Sequence, residues 1–128
     1  MRGINLLVLL LLGGSTVASA TIAPSAAGLP EKPVRAVVLI DVIPSDQDEG
    51  LAALKDFVRR ARQDKDVTSI DLIQQATFTN HFMLEEVFPS QSAYRSFLSK
   101  DYVRAFRAAL FPHLGSPWDE RPGQEVTP

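Results

Sequence analysis

Cysteine is absent from the 128-residue chain. That absence excludes disulfides, a thiolate nucleophile and lipid attachment at a cysteine, so even in an oxidising compartment the fold must rest on its core alone. Only two histidines are present, His81 and His113, which leaves no metal site of His/Cys type. Positive charge is not in excess either. Thirteen Lys and Arg stand against 15 Asp and Glu, a net charge of -2, which gives no electrostatic ground for binding nucleic acid. There is no glycine-rich phosphate loop, no G-x-S-x-G and no strand followed by GxGxxG and a helix, so nucleotide binding and serine-hydrolase chemistry have no support. The longest apolar run, Ile4 to Leu12 broken only by Asn5, is about half of the roughly 20 residues needed to cross a bilayer.

That run is flanked by Arg2 on one side and by small residues ending Ala18-Ser19-Ala20 on the other. A positive start, a short apolar stretch and a small-residue end are the three parts of a secretory signal, so residues 1–20 are expected to be a signal peptide cleaved after Ala20. The expected destination is the periplasm or the exterior, with no membrane attachment afterwards. Residues 21–33 carry Pro24, Pro30 and Pro33 among Ala, Gly and Ser and read as a flexible linker. Residues 34–128 are enough for one domain and too few for two.

Within that domain, Arg35 to Val42 is β-branched and apolar on both parities, a strand covered on both faces. Ser45 and Asp46 are candidate caps of a helix whose buried stripe is Leu51, Leu54, Val58 and Ala61. Its first turn is acidic and Arg59, Arg60 and Arg62 lie near its end, as the helix dipole favours. Thr68–Ala76 and His81–Phe88 read as an antiparallel hairpin. Alternation puts Phe82, Leu84, Glu86 and Phe88 on one face of the second strand and His81, Met83, Glu85 and Val87 on the other. Ser90 caps a helix through Tyr94 and Phe97, Asp101 restarts it through Val103, Phe106 and Leu110, and Trp118–Val126 supplies a short last strand that Pro122-Gly123 must bulge or break.

The order βαββαβ is the split pattern of ferredoxin-like α+β folds with an antiparallel sheet. In the usual strand order 4-1-3-2 the first and third strands are central, and both have apolar residues on both faces. Helices can cover one face only. The other is left apolar and wet, which calls for a partner sheet and so a homodimer.

Four segments in this order carry a resemblance: Asp71-Leu72-Ile73-Gln74-Gln75, Asn80-His81-Phe82 with Glu86 following, Val103-Arg104-Ala105-Phe106-Arg107, and Leu114-Gly115-Ser116-Pro117-Trp118-Asp119-Glu120-Arg121. Through them the chain resembles the antibiotic biosynthesis monooxygenase family, in particular its quinol-monooxygenase-like members, which are dimeric ferredoxin-like α/β barrels. Members of that group often have His where this chain has Phe97 and Tyr102, and Arg where it has Phe78 and Ser69. The resemblance implies oxygenation of a small quinol-like or hydroxylated aromatic by dioxygen, with no flavin, haem or metal cofactor, the substrate's own anion passing an electron to oxygen.

Such chemistry needs an apolar pocket, a base and polar groups that orient the ring. Glu86, a carboxylate among Phe82, Leu84 and Phe88, is the first candidate base, since desolvation raises its pKa. Its structural alternative is a buried carboxylate tied to backbone or Arg. His81 is a second candidate base or a satisfied residue near the turn. Tyr102 and Tyr94 are candidate donors to a ligand oxygen or packed aromatics with satisfied hydroxyls. Asn80 is a candidate ligand contact or a turn closer. Phe97, Phe106 and Trp118 are core and candidate pocket wall, with Phe82 and Phe88 beside them, while His113 reads as a surface residue. The competing class is a non-catalytic binding protein that holds a small apolar ligand in the same pocket.

Overall fold

A computed structural model describes residues 31–128. The proposed signal peptide, its cleavage point and most of the linker lie outside the described residues. The elements are β1 (Val34–Asp41), α1 (Gln47–Ala61), β2 (Ser69–Gln74), β3 (His81–Phe88), α2 (Gln91–Ser99), α3 (Asp101–Leu110) and β4 (Asp119–Gly123). All pairings are antiparallel and the strands run β2-β3-β1-β4 across the sheet. This is the ferredoxin-like α+β topology. Within one chain the sheet is open, with β2 and β4 as its edges.

Strand alternation decides what lies beneath the helices. From β1 come Val34, Ala36, Val38 and Ile40, from β3 Phe82, Leu84, Glu86 and Phe88, and from β2 Ile70, all buried. Helix α1 lays Leu54, Phe57, Val58 and Ala61 on them, α2 adds Tyr94 and Phe97, and α3 adds Val103, Phe106 and Leu110. Leu51 packs only partly against this core. Gly50 is buried in its place, because a Cβ there would stand 2.8 and 2.9 Å from the two methyls of Val42. Gly50→Ala is therefore expected to destabilise the domain by about 1–3 kcal/mol through overpacking, not to add the roughly 1 kcal/mol that helix propensity alone grants alanine. Urea denaturation checks the sign.

The helix ends differ from the sequence expectation in one place. Ser90 caps α2, its Oγ accepting the Ala93 amide at 3.0 Å. At α1, neither Ser45 nor Asp46 caps with its side chain. Asp46 is taken up by the Ser45 hydroxyl at 2.8 Å and by His113 Nδ1 at 2.9 Å. His113, expected on the surface, is thus half-buried and ties the turn after α3 to the start of α1. Between α2 and α3 the backbone of Lys100 is extended (φ -70°, ψ 142°), which separates the two helices.

The last strand is shorter than Trp118–Val126. It pairs with β1 only over Asp119–Gly123, where Pro122, opposite Ala36, has no N–H to offer. The helix-free face carries an apolar row, Leu39 beside Met83 beside Ile73, with charged neighbours Arg35, Asp71, Glu85 and Arg121. Among the described residues no helix is long and apolar enough to cross a membrane.

Candidate functional site

Glu86 is the one buried charged residue among those described, only 3% exposed, in a strand whose neighbours on the same face are Leu84 and Phe88. Its Oε2 has no hydrogen-bond partner. Desolvation raises its pKa most, the nearby Glu120 carboxylate adds to the rise, and Arg107 opposes it, leaving the group at about 8. Glu86 is therefore a neutral acid at neutral pH that can still ionise within reach of it.

Glu120 faces the same layer from β4, where it pairs with Val38. It is the centre of a polar clasp. The Tyr94 hydroxyl donates to Oε1 at 2.9 Å, the Trp118 indole N–H donates to Oε2 at 3.0 Å, and Arg107 Nη2 donates to the same Oε2. The Arg107 guanidinium also lies 4.8 Å over the Trp118 ring. Burial, the Glu120 bond and the charges of Glu120 and Glu86 all push the Tyr94 phenol up. Its one proton is committed to Glu120, which leaves its oxygen able only to accept.

Around these groups runs an aromatic wall. Phe88 lies 5.1 Å from Tyr94 and 5.0 Å from Phe97 between ring centres. Phe97 lies 6.1 Å from Phe57, Phe57 stacks on Phe106 at 3.9 Å, and Phe106 meets Trp118 edge-on at 6.3 Å. Phe97 is fully buried and fills the layer between helices and sheet.

Of the residues singled out from the sequence, the fold gathers Glu86, Phe88, Tyr94 and Phe97, with Phe82, Phe106 and Trp118 at the margins. His81 and Asn80 lie elsewhere, and Tyr102 borders the same aromatic layer, 6.2 Å from Phe97 and 6.1 Å from Phe57, with its hydroxyl committed to another partner. His81 has the opposite strand parity and sits on the helix-free face, stacked on Phe78 at 5.1 Å and 3.3 Å from the Asp41 carboxylate, which also accepts from Ser116 at 2.7 Å. It lines an open cleft of about 600 Å³ with Leu39, Gln75 and Trp118, and the sheet separates it from Glu86. Asn80 ties the hairpin to the end of β1, its side-chain amide donating to the Val42 carbonyl at 2.8 Å and its own carbonyl accepting the Val42 amide at 2.9 Å. Tyr102 gives its hydroxyl to Asp64 at 2.8 Å, beneath Arg60 at 4.9 Å. That bond belongs to a second knot in which Lys100 bridges Asp64 and Asp66 and fastens the loop after α1 to the break between α2 and α3. These bonds hold both aspartates below the usual carboxylate range, although burial raises Asp64.

Sequence reasoning missed Glu120 and Arg107 as neighbours of Glu86, and Phe57 as part of the aromatic wall. A signal existed for one: Trp118 and Glu120 share parity in an extended segment, so whatever turns the indole toward the helices turns the carboxylate with it. Among the described residues, no three His, Cys, Asp or Glu side chains are grouped as metal ligands.

Comparison with known proteins agrees with this layout. No curated protein matches the chain significantly. Among solved structures, the Rv0793 protein of Mycobacterium tuberculosis superposes with a TM-score of 0.71 at 18% identity, over 76% of this chain and 98% of that one. The PA3566 protein of Pseudomonas aeruginosa gives 0.70 at 15% identity, over 78% and 100%. An antibiotic biosynthesis monooxygenase gives 0.70 at 16% identity, over 73% and 99%. At such identities these likenesses establish the fold. Residues 33–109, well over half of the chain and including β1, α1, the hairpin with Glu86, α2 and most of α3, match the profile of antibiotic biosynthesis monooxygenases. The chain belongs to the antibiotic biosynthesis monooxygenase family.

Proposed function

We propose that the protein is a cofactor-independent monooxygenase acting on a small quinol-like or hydroxylated aromatic. The observation that carries this reading is Glu86, a carboxyl without a hydrogen-bond partner on Oε2, buried beside aromatic rings, with a pKa of about 8. A group that must both accept and return a proton works best when its pKa lies near the working pH. For a hydroquinone the balance is quinol plus dioxygen to hydroxyquinone plus water. Glu86 takes a hydroxyl proton, and the substrate anion passes one electron to dioxygen. Superoxide and the ring radical join in a C–O bond. Loss of the ring C–H proton and cleavage of the O–O bond then release water, with Glu86 returning its proton to the departing oxygen. The substrate supplies all the electrons, so no external reductant enters.

This accords with export. An exported enzyme is cut off from the cytosolic supply of reduced nicotinamide and flavin, and a periplasmic or secreted location is part of the proposal. So is a homodimer that joins the helix-free faces. The Leu39–Met83–Ile73 row supplies an apolar centre, and a second sheet would close the barrel that one chain leaves open. Sedimentation is expected to give a dimer at micromolar concentration and a monomer for Met83→Glu.

Oxygen uptake by the purified protein with a panel of quinols and hydroxylated aromatics tests the activity. A second reading, a non-catalytic binder of a small apolar ligand, is favoured by Phe97, which fills the layer where relatives often carry His. Tight binding of a panel member with no oxygen consumption would establish that reading instead.

A further inference from the structure

The cover over Glu86 is uneven. Its partners in register are Ala36 on β1 and Ile70 on β2, and Leu84 and Phe88 flank it along β3, all buried and apolar. Parting such surfaces costs about 25 cal/mol per Å² exposed. On the β4 side the cover is the Glu120 clasp, where the Arg107 side chain is 33% exposed and that of Glu120 11%. This side is polar and its Arg107 end already reaches water, so parting it exposes polar groups that water can solvate in place of packed hydrocarbon.

The backbone that carries Glu120 is held on one side only. Strand β4 is an edge strand that pairs only with β1, over five residues that include Pro122 and Gly123. Upstream the chain is fastened to β1 as far as Ser116. The Gly115 amide donates to the Asp41 carbonyl and the Ser116 hydroxyl to the Asp41 carboxylate, both at 2.7 Å. These two bonds anchor the chain as far as Ser116. The segment beyond bears both Trp118 and Glu120, so indole and carboxylate leave together.

We propose that Trp118–Gly123 is the door to Glu86, latched by Glu120 on Arg107 and Tyr94, and that a small aromatic ligand enters between β4 and α3. The inference rests on the reading of Glu86 as the reacting group and adds its access route. Glu120 acts as a positioning residue. While the door is shut it holds the Tyr94 proton, and when the door opens that proton is released toward the incoming ligand.

The test is carbodiimide-driven amide coupling of Glu86, read by peptide mass mapping in the native state. Because the chain has no cysteine, a cross-link can be placed without interference. Leu39→Cys with Asp119→Cys joins β4 to β1, and Leu39→Cys with Met83→Cys is the control, since Leu39 pairs with both positions and directly paired strand residues suit a disulfide. Glu86 is expected to be labelled in the unmodified protein and about tenfold faster in Glu120→Gln, the range of a local opening. Labelling is expected to fall about tenfold in the oxidised 39–119 pair and recover on reduction, with the 39–83 pair unaffected. Acrylamide quenching of Trp118, the sole tryptophan, should rise in Glu120→Gln and fall in the 39–119 pair. Equal labelling in both cross-linked proteins, or no native-state labelling in any form, overturns the door. Labelling requires no turnover, so a failure of oxygen uptake sinks the proposed activity alone. Uptake that persists with Glu86 sealed sinks the role of Glu86 and not the door.

Discussion

Replacing Glu86 by glutamine is expected to lower kcat/KM for oxygen uptake by about 10²–10⁴-fold, the usual contribution of a positioned acid–base group. The rate of the unmodified protein should rise with pH as Glu86 ionises around its pKa of about 8, and the variant should lose that inflection. A fall in rate without loss of the inflection would assign the base elsewhere. The same substitution has a stability readout that needs no substrate. Glu86 binds its proton more tightly in the folded chain, where its pKa is about 8, than at the ordinary value of 4.5. The folded state therefore holds more protons than the unfolded state between those limits, and stability falls as pH rises through that window. At about 1.4 kcal/mol per unit, the loss is on the order of 3–5 kcal/mol by pH 9. Glu86→Gln removes a charge but keeps the shape, so its denaturation midpoint should stay flat where that of the unmodified protein declines. The lowered carboxylates Asp64 and Asp66 act in the opposite sense, losing stability only as pH falls below about 4, so the two windows do not overlap.

Phe97→Ala is expected to cost about 3–5 kcal/mol, as deletion of a fully buried phenylalanine does. The ring touches three aromatic neighbours, Phe57, Phe88 and Tyr102, at centroid distances from 5.0 to 6.2 Å, and no element is free to collapse into its place. Domains of this size hold about 5–15 kcal/mol in all, and no disulfide supports this one. A drop in Tm of about 15–30 °C follows, readable through Trp118 fluorescence. The variant also separates the two functional readings. If Phe97 occupies space that a ligand needs, Phe97→Ala gains affinity for small aromatics at low temperature. If the layer is only core, it gains none.

Much of this was legible in the sequence because the signals are local. The parity of Phe82, Leu84, Glu86 and Phe88 is a property of any extended segment, and it placed the carboxyl among those apolar side chains, while only the fold decided that this face lies beneath the helices. The Ser90 cap and most of the α1 stripe followed from capping and periodicity in the same way, and the strand order from the usual arrangement of a βαββαβ chain. His81 shows the opposite case. Its parity already assigned it to the other face from Glu86, and only its chemical type drew it into the candidate site. Asn80 and Tyr102 were read for what their side chains can donate, yet the fold spends both on fastening segments 38 positions away, at Val42 and at Asp64. The cap expected of Asp46 failed for a related reason, since His113 lies 67 positions away and competes for the same carboxylate.

The sequence by itself determined the element order, the face of each strand and the desolvated setting of Glu86. Each depends on backbone periodicity and on neighbours a few residues away. Tertiary structure alone decided what stands beside that carboxyl. Glu120, Arg107, Trp118 and Tyr94 come from α2, α3 and the end of the chain, and they meet because β4 pairs with β1 and α3 crosses above it. Electrostatic terms depend on distance in space. No pattern along the chain specifies that a second carboxylate and its arginine lie close enough to shift Glu86, or that one edge strand closes over it.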